Sequence, residues 1–255
     1  MGDYVHLHVH SHYSLLDGLG KLDAMLEHVK GLGMDSLALT DHGVMYGTVE
    51  FVKLAEKAGI KPIIGMEGYL APNGHTQKRG RVDANPRHIT LLSQNEAGYK
   101  NLIKLSTTAH LQGYYYKPRL DYDLLQKHQE GLIVLSGCLN GDIPRAILEN
   151  RLDDARKLVE WHLEVFGRDR FFIEVQHHPH IQDQNTVNQA LVDLAKEYKV
   201  GLVATGDSHY VRPDDAQAHD VLLCVQTGRT VNDKDRMSML DEDFSIKTPT
   251  EVKEA

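Results

Sequence analysis

The sequence predicts an α/β fold of strands alternating with helices, and three observations carry that expectation. Short apolar, β-rich runs recur along the chain, amphipathic helical stripes lie between them, and side chains suited to metal binding follow the runs directly. The first run is Tyr4–Val9, followed by Ser36–Thr40, Pro62–Met66, Ile89–Leu92, Leu132–Leu135, Phe171–Val175 and Leu202–Thr205. Most of these are continuous rather than alternating, as expected of strands buried on both faces of a parallel sheet. Between them, Phe51, Leu54, Ala55 and Ala58 recur at helical spacing before the stop signal Gly59. Leu152, Ala155, Leu158, Val159 and Phe166 form a second stripe closed by Gly167, and Val187, Ala190, Leu191, Leu194, Ala195 and Tyr198 form a third. The polar stretch 73–85, carrying Lys78, Arg79 and Arg81, reads as an exposed loop. Periodicity does not separate an open doubly wound sheet from a closed barrel.

Thr248, Pro249 and Glu251 carry the signature of a capped helix start, and the chain ends one turn later. The expectation is a single domain over 1–255 cut from the N-terminal part of a longer protein, with 245–255 opening its next segment.

Of 255 residues, 41% are hydrophobic and 25% charged, values that exclude disordered, collagen-like and membrane-channel classes. The longest apolar run, around Leu132–Leu135, is far too short to span a bilayer, so no membrane association is expected. The start Met1-Gly2-Asp3-Tyr4 lacks the pattern of a secretion signal, and two cysteines make no disulfide framework, which points to the cytoplasm. With 28 basic against 36 acidic residues the formal charge is −8, so a nucleic acid would have to be held by local charge, a partner or metal ions. Sixteen histidines, clustered rather than scattered, favour the metals.

His6, His8, His10 and His12 alternate through a strand-like segment, so their imidazoles share one face; spacing alone does not say which bind metal. Thr40-Asp41-His42-Gly43, Gly65-Met66-Glu67-Gly68 and Thr205-Gly206-Asp207-Ser208-His209 each follow a predicted strand, where the mouth of a βα fold lies. Cys138 also follows a strand and is read as a ligand, whereas Cys224 is read as core. His177, His178 and His180 offer a further ligand set, but Pro179 favours a loop. Glu174 and Gln176 are placed to support ligands from outside. No phosphate-binding glycine loop, dinucleotide fingerprint or nucleophile elbow is present.

Taken in order, these motifs resemble a known family. His8-Val9-His10-Ser11 and Tyr13-Ser14-Leu15-Leu16-Asp17-Gly18 are similar to the first motif of polymerase-and-histidinol-phosphatase (PHP) domains, in the version found in bacterial replicative DNA polymerase III alpha subunits. The similarity continues through Thr40-Asp41-His42-Gly43, Gly65-Met66-Glu67, Arg87-His88-Ile89-Thr90-Leu91-Leu92, Tyr115-Tyr116-Lys117-Pro118-Arg119, Ser136-Gly137-Cys138 and Gly206-Asp207-Ser208-His209-Tyr210. The resemblance implies a distorted seven-stranded (β/α) barrel, TIM-like, with a centre of three divalent metal ions drawn from zinc, manganese and iron. The implied ligands are His8, His10, Asp17, His42, Glu67, His88, Cys138, Asp207 and His209, with His10, Asp207 and His209 counted as catalytic. His88 precedes its apolar run instead of following it, and only the resemblance assigns it. Arg119, Lys117 and Arg81 are candidate phosphate contacts.

The implied activity is metal-dependent phosphoester hydrolysis, as a 3′–5′ exonuclease acting on the single-stranded 3′ end of DNA. The implied partners are the remainder of the polymerase chain and replisome proofreading or clamp subunits. Three divalent ions against Asp17, Glu67, Asp207 and a Cys138 thiolate leave two positive charges, an anion trap on an acidic protein. The competing readings are a free-standing phosphomonoesterase resembling histidinol phosphatase, and a docking module merely braced by metals.

Overall fold

The computed structural model describes residues 4–254. In chain order the elements are α1 (Leu22–Gly31), β1 (Ser36–Leu39), α2 (Thr48–Ala58), β2 (Lys61–Leu70), α3 (Arg81–Ala84), β3 (Arg87–Ser93), α4 (Glu96–Leu111), β4 (Arg119–Leu120), α5 (Tyr122–Lys127), β5 (Leu132–Leu135), α6 (Asp142–Leu148), α7 (Leu152–Phe166), β6 (Phe171–Gln176), α8 (Gln182–Tyr198), β7 (Gly201–Thr205), α9 (Ala216–Thr227) and α10 (Pro249–Glu254). The seven strands form one mixed sheet in the order β1-β2-β3-β5-β6-β7, with β4 paired to β2. The expected strand–helix alternation is present, and the helical stripes lie in α2, α7 and α8. Gly59 ends α2 in the left-handed conformation at φ 74°. Thr248 and Glu251 exchange the reciprocal capping bonds at 3.1 and 2.7 Å.

Two expectations need correction, and one strand was not foreseen. The sheet is not all parallel: β3 runs antiparallel to both β2 and β5. Its residues are buried in a continuous run, Ile89–Leu92, and burial on both faces looks the same whichever way a strand runs. The two-residue β4 is too short to leave a periodic signal. Tyr4–Val9 forms no strand ladder. It is a seam, in which His6 and Val9 carbonyls accept from Ala38 and Thr40 amides on one side (3.0 and 2.9 Å), while His8 and His10 bond Ser208 on the other (3.1 and 2.8 Å). This extended segment links the β1 and β7 edges of the curled sheet.

Helices cover the outside. Leu22, Met25, Leu26 and Val29 of α1 and Phe51 and Ala55 of α2 pack on Leu37 and Leu39. Leu102, Leu105, Val159, Leu191 and Leu194 from later helices pack on Leu91, Val134, Phe171 and Ile173. The opposite strand faces supply a smaller apolar cluster of Ala38, Leu92 and Leu135, flanked by Ile63, Phe172 and Val203. This interior floor sets up the site.

Candidate metal centre

Side chains two apart on a strand share a face, so each interior floor residue points the way to a polar residue nearer the mouth. Along β1 and beyond, the series is Ala38, Thr40, His42; along β2 it is Ile63, Gly65, Glu67; along β7 and beyond, Val203, Thr205, Asp207; along β6, Phe172, Glu174, Gln176. β3 reads backwards as Leu92, Thr90, His88. Its antiparallel direction therefore explains why His88 precedes its apolar run: the start of that strand lies at the mouth. Pairing of Tyr69 with His88 and Glu67 with Thr90 fixes the register. Glu67 lies within β2 rather than after it.

All nine proposed ligands converge. His8, His10, Glu67, Asp207 and His209 are buried, while Asp17, His42, His88 and Cys138 are half-buried at the rim. Asp207 Oδ1 lies 3.3 Å from His8 Nε2 and 3.2 Å from His10 Nε2. Glu67 is the hub: Oε1 is 2.8 Å from His88 Nδ1, 3.3 Å from His8 Nε2 and 3.7 Å from Cys138 Sγ, and Oε2 contacts His42 Nδ1. His42 Nε2 is 2.9 Å from Asp17 Oδ2. Three ligand-competent groups result, namely His10 with His42 and His209, His8 with His10 and Asp207, and Glu67 with His88 and Cys138.

Local structure aims these groups. Asp207 sits in the left-handed region at φ 47°, a conformation costing about 1 kcal/mol or more and retained chiefly at functional sites. Gly18 allows the turn carrying Asp17 to close, since a Cβ there would meet the Ser11 carbonyl oxygen at 2.1 Å. Three histidines are held by Nδ1 so that Nε2 faces the centre. His8 Nδ1 donates to Glu174 at 2.6 Å, His209 Nδ1 donates to the Asp207 carbonyl at 2.7 Å, and His10 Nδ1 donates to Ser14 Oγ at 3.1 Å. Ser14 in turn donates to Asp41 at 2.7 Å, and Ser11 also donates to that carboxylate. Glu174 thus holds the ring of His8, one of the proposed ligands. The Ser14–Asp41 support was not assigned from sequence, although Asp41 lies inside the motif that supplies His42.

The carboxylates and imidazoles hold one another's charge. Burial opposes ionisation of Glu67, but His88 and His42 outweigh it and hold the carboxyl well below its ordinary range. Asp207 behaves alike, with His8 and His209 outweighing burial. Burial would lower His42, yet Glu67 and Asp17 push it up to about 10. Burial, with His42 and His209 beside it, takes His10 down to about 3. Among the described residues, His8 Nε2, His10 Nε2, Glu67 Oε2 and Asp207 Oδ1 are buried without a hydrogen bond. Orphaned lone pairs and carboxylate oxygens are costly unless something shared satisfies them. Imidazole, carboxylate and thiol donors aimed at common points fit divalent metal ions.

Replacing Glu174 by glutamine should weaken metal binding about 10–100-fold, because the His8 ring loses its charged acceptor. Titration against a competing chelator measures this, and unchanged affinity would reduce Glu174 to a space-filling role.

The remaining candidates separate cleanly. His6 is turned away, with its Nε2 donating to the Lys247 carbonyl at 2.9 Å, and His12 lies 3.4 Å from the Gly20 carbonyl. His177 and His180 are exposed, and His178 is buried against Phe244; none joins a ligand-competent group among the described residues. Cys224 is buried, as expected. Arg119 is corrected. It is fully buried, and its guanidinium donates to the carbonyls of Gly113, Asp83, His75 and Gln77 at 2.7–2.9 Å, leaving it to brace the chain rather than to meet a phosphate. Arg81 lies on α3, exposed and outside the cleft over the centre. Lys117 does line that cleft, its ammonium 5.3 Å from the Tyr69 ring centroid.

The comparisons with known proteins agree with the motif resemblance. The family model described as PHP domain matches residues 6–178. The DNA polymerase III subunit alpha of Borreliella burgdorferi is 46% identical over 250 residues, covering 98% of this chain and 22% of that protein. The protein of the same name from Thermus aquaticus is 46% identical over 254 residues, covering 98% of this chain and 21% of that one. The chain therefore spans about a fifth of the length of these relatives. Among solved structures, an amidohydrolase from Chromobacterium violaceum with bound sulfate and no metal is similar in fold, with TM-score 0.52 and 15% identity over 81% of this chain and 87% of that one. No helix among the described residues is long and apolar enough to cross a membrane. The family model spans most of the chain, and relatives 46% identical cover nearly all of it: the chain belongs to the PHP domain family.

Proposed function

We propose that this chain is the phosphoesterase domain of a bacterial replicative DNA polymerase alpha subunit and hydrolyses the 3′-terminal phosphodiester of single-stranded DNA. The observation that carries the proposal is the set of buried ligand-type atoms on His8, His10, Glu67 and Asp207 that crowd together without a hydrogen bond. In this reading the nine residues His8, His10, Asp17, His42, Glu67, His88, Cys138, Asp207 and His209 hold three divalent ions, with zinc favoured beside Cys138 and manganese or iron compatible elsewhere. Such ions supply Lewis acidity and an activated water for displacement at phosphorus.

The chain's own groups do the rest. His8, His10 and His209 present Nε2 in fixed tautomers, Glu67 ties the ligand groups together, and the half-buried rim of Asp17, His42 and His88 leaves the centre open on one side. Lys117 adds a positive charge at the mouth. The remainder of the polymerase chain, with proofreading or clamp subunits, completes the assembly, and residues 1–255 form one domain within it.

Incubation of the purified chain with a 5′-labelled single-stranded oligonucleotide tests the reading. The expected result is a metal-dependent ladder shortened from the 3′ end and abolished by chelator. Faster turnover of small phosphomonoesters, or no metal-dependent hydrolysis of either substrate, would overturn it.

A further inference from the structure

A cleft of about 330 Å³ opens over the rim of the centre, with Asp17 and His42 among its lining residues. Aromatic rings dominate its walls: Tyr13, Tyr46, Tyr69, Tyr114 and Tyr116. Tyr69 is buried and fixed, 5.2 Å from the His88 ring and 6.0 Å from the His42 ring. Tyr114 and Tyr116 differ in kind, being 53% and 69% exposed.

Their exposure is built in. Tyr115 and Lys117 form a tight turn, the Tyr115 amide donating to the Lys117 carbonyl at 3.0 Å, with Tyr116 at its tip in the left-handed region at φ 58°. Tyr115 lies against the anchored Arg119 guanidinium, 5.2 Å from ring centroid to carbon, and the Tyr116 ring packs edge-on to it at 4.7 Å between centroids, so an exposed ring is seated on a rigid base. A non-glycine residue in that conformation is retained where the surroundings enforce it. Clustered exposed rings beside an active-site cleft mark a surface that something covers.

The charge balance selects the occupant. Lys117 is the sole lysine or arginine among the residues lining the cleft, and the chain carries −8 overall. A nucleic acid cannot be held here mainly through its phosphates, because few counterions would be released. Nucleobases offer the complementary chemistry, since every base has a π-face that stacks on tyrosine irrespective of sequence.

We propose that Tyr114 and Tyr116 form a stacking platform that seats the last nucleobases of a single strand while its terminal phosphodiester lies at the centre. The inference rests on the phosphodiesterase reading above and adds what selects the substrate: bases rather than backbone charge.

The test compares an oligothymidylate with an abasic oligomer of equal length, both fluorescently labelled at the 5′ end. Binding to the chain is measured by anisotropy in chelator, which prevents turnover. The expected result is at least tenfold tighter binding of the base-bearing oligomer, with a salt dependence of about one released counterion. The double variant Tyr114→Ala/Tyr116→Ala loses that preference, and Tyr114→Phe/Tyr116→Phe keeps it. Equal affinity for the two oligomers, or equal loss in the alanine and phenylalanine pairs, would overturn the platform. A parallel hydrolysis assay with metal separates the two claims. No cleavage with the base preference intact overturns the phosphodiesterase reading alone, whereas cleavage of both oligomers with the same KM overturns the platform alone.

Discussion

Asp207→Asn should abolish most hydrolysis, by roughly 10³-fold, while the protein stays folded. Asparagine tolerates the left-handed backbone that Asp207 adopts at φ 47° and keeps the side-chain shape, so the change removes charge and little else. That charge lies 3.3 and 3.2 Å from the ring nitrogens of His8 and His10, where any shared ion would sit. Alanine at the same position would add backbone strain and confuse the result. Activity is measured on single-stranded DNA, and circular dichroism checks folding. Activity within a few-fold of the parent would remove Asp207 from the site.

The second large effect concerns stability. Arg119→Met should lower the unfolding free energy by about 4 kcal/mol, since buried carbonyls left without a donor cost about 1–3 kcal/mol each. For a domain of this size that is a fall in Tm of about 10 °C. The side chain is fully buried and donates to four backbone carbonyls spread over residues 75–113. Methionine fills much of the volume but donates nothing. Lysine should rescue only part, because it lacks the planar fork that reaches several acceptors at once. A phosphate-binding arginine would give the opposite pattern: unchanged Tm and a raised KM.

These two residues mark what the sequence could reveal. The residues that meet in the cluster were legible because metal-compatible side chains are few in kind, and because the ordered motifs around His8, His42, Glu67, Cys138 and Asp207 occur together in the family the sequence resembles. Helix stops at Gly59 and Gly167 were legible because so few residues suit those backbone positions. Strand direction was not. A run such as Ile89–Leu92, buried on both faces, carries no mark of polarity, and the antiparallel course of β3 is what brings His88 to the mouth. Nor could spacing alone sort the alternating histidines, because the segment leaves its extended path in the turn beyond residue 10, so His12 diverges while His8 and His10 converge. Arg119 misled for another reason: a cation in a tyrosine-rich motif reads as a phosphate contact until its four carbonyl partners are seen.

Metal content decides whether this cluster is a metal centre. Elemental analysis of the folded chain, purified without added metal, tests it most directly. About three divalent ions per chain are expected, with zinc among them, falling by about one zinc in Cys138→Ser, where a hydroxyl replaces the thiolate. A folded chain that holds no divalent metal, and takes up none when zinc or manganese is supplied, would contradict that expectation.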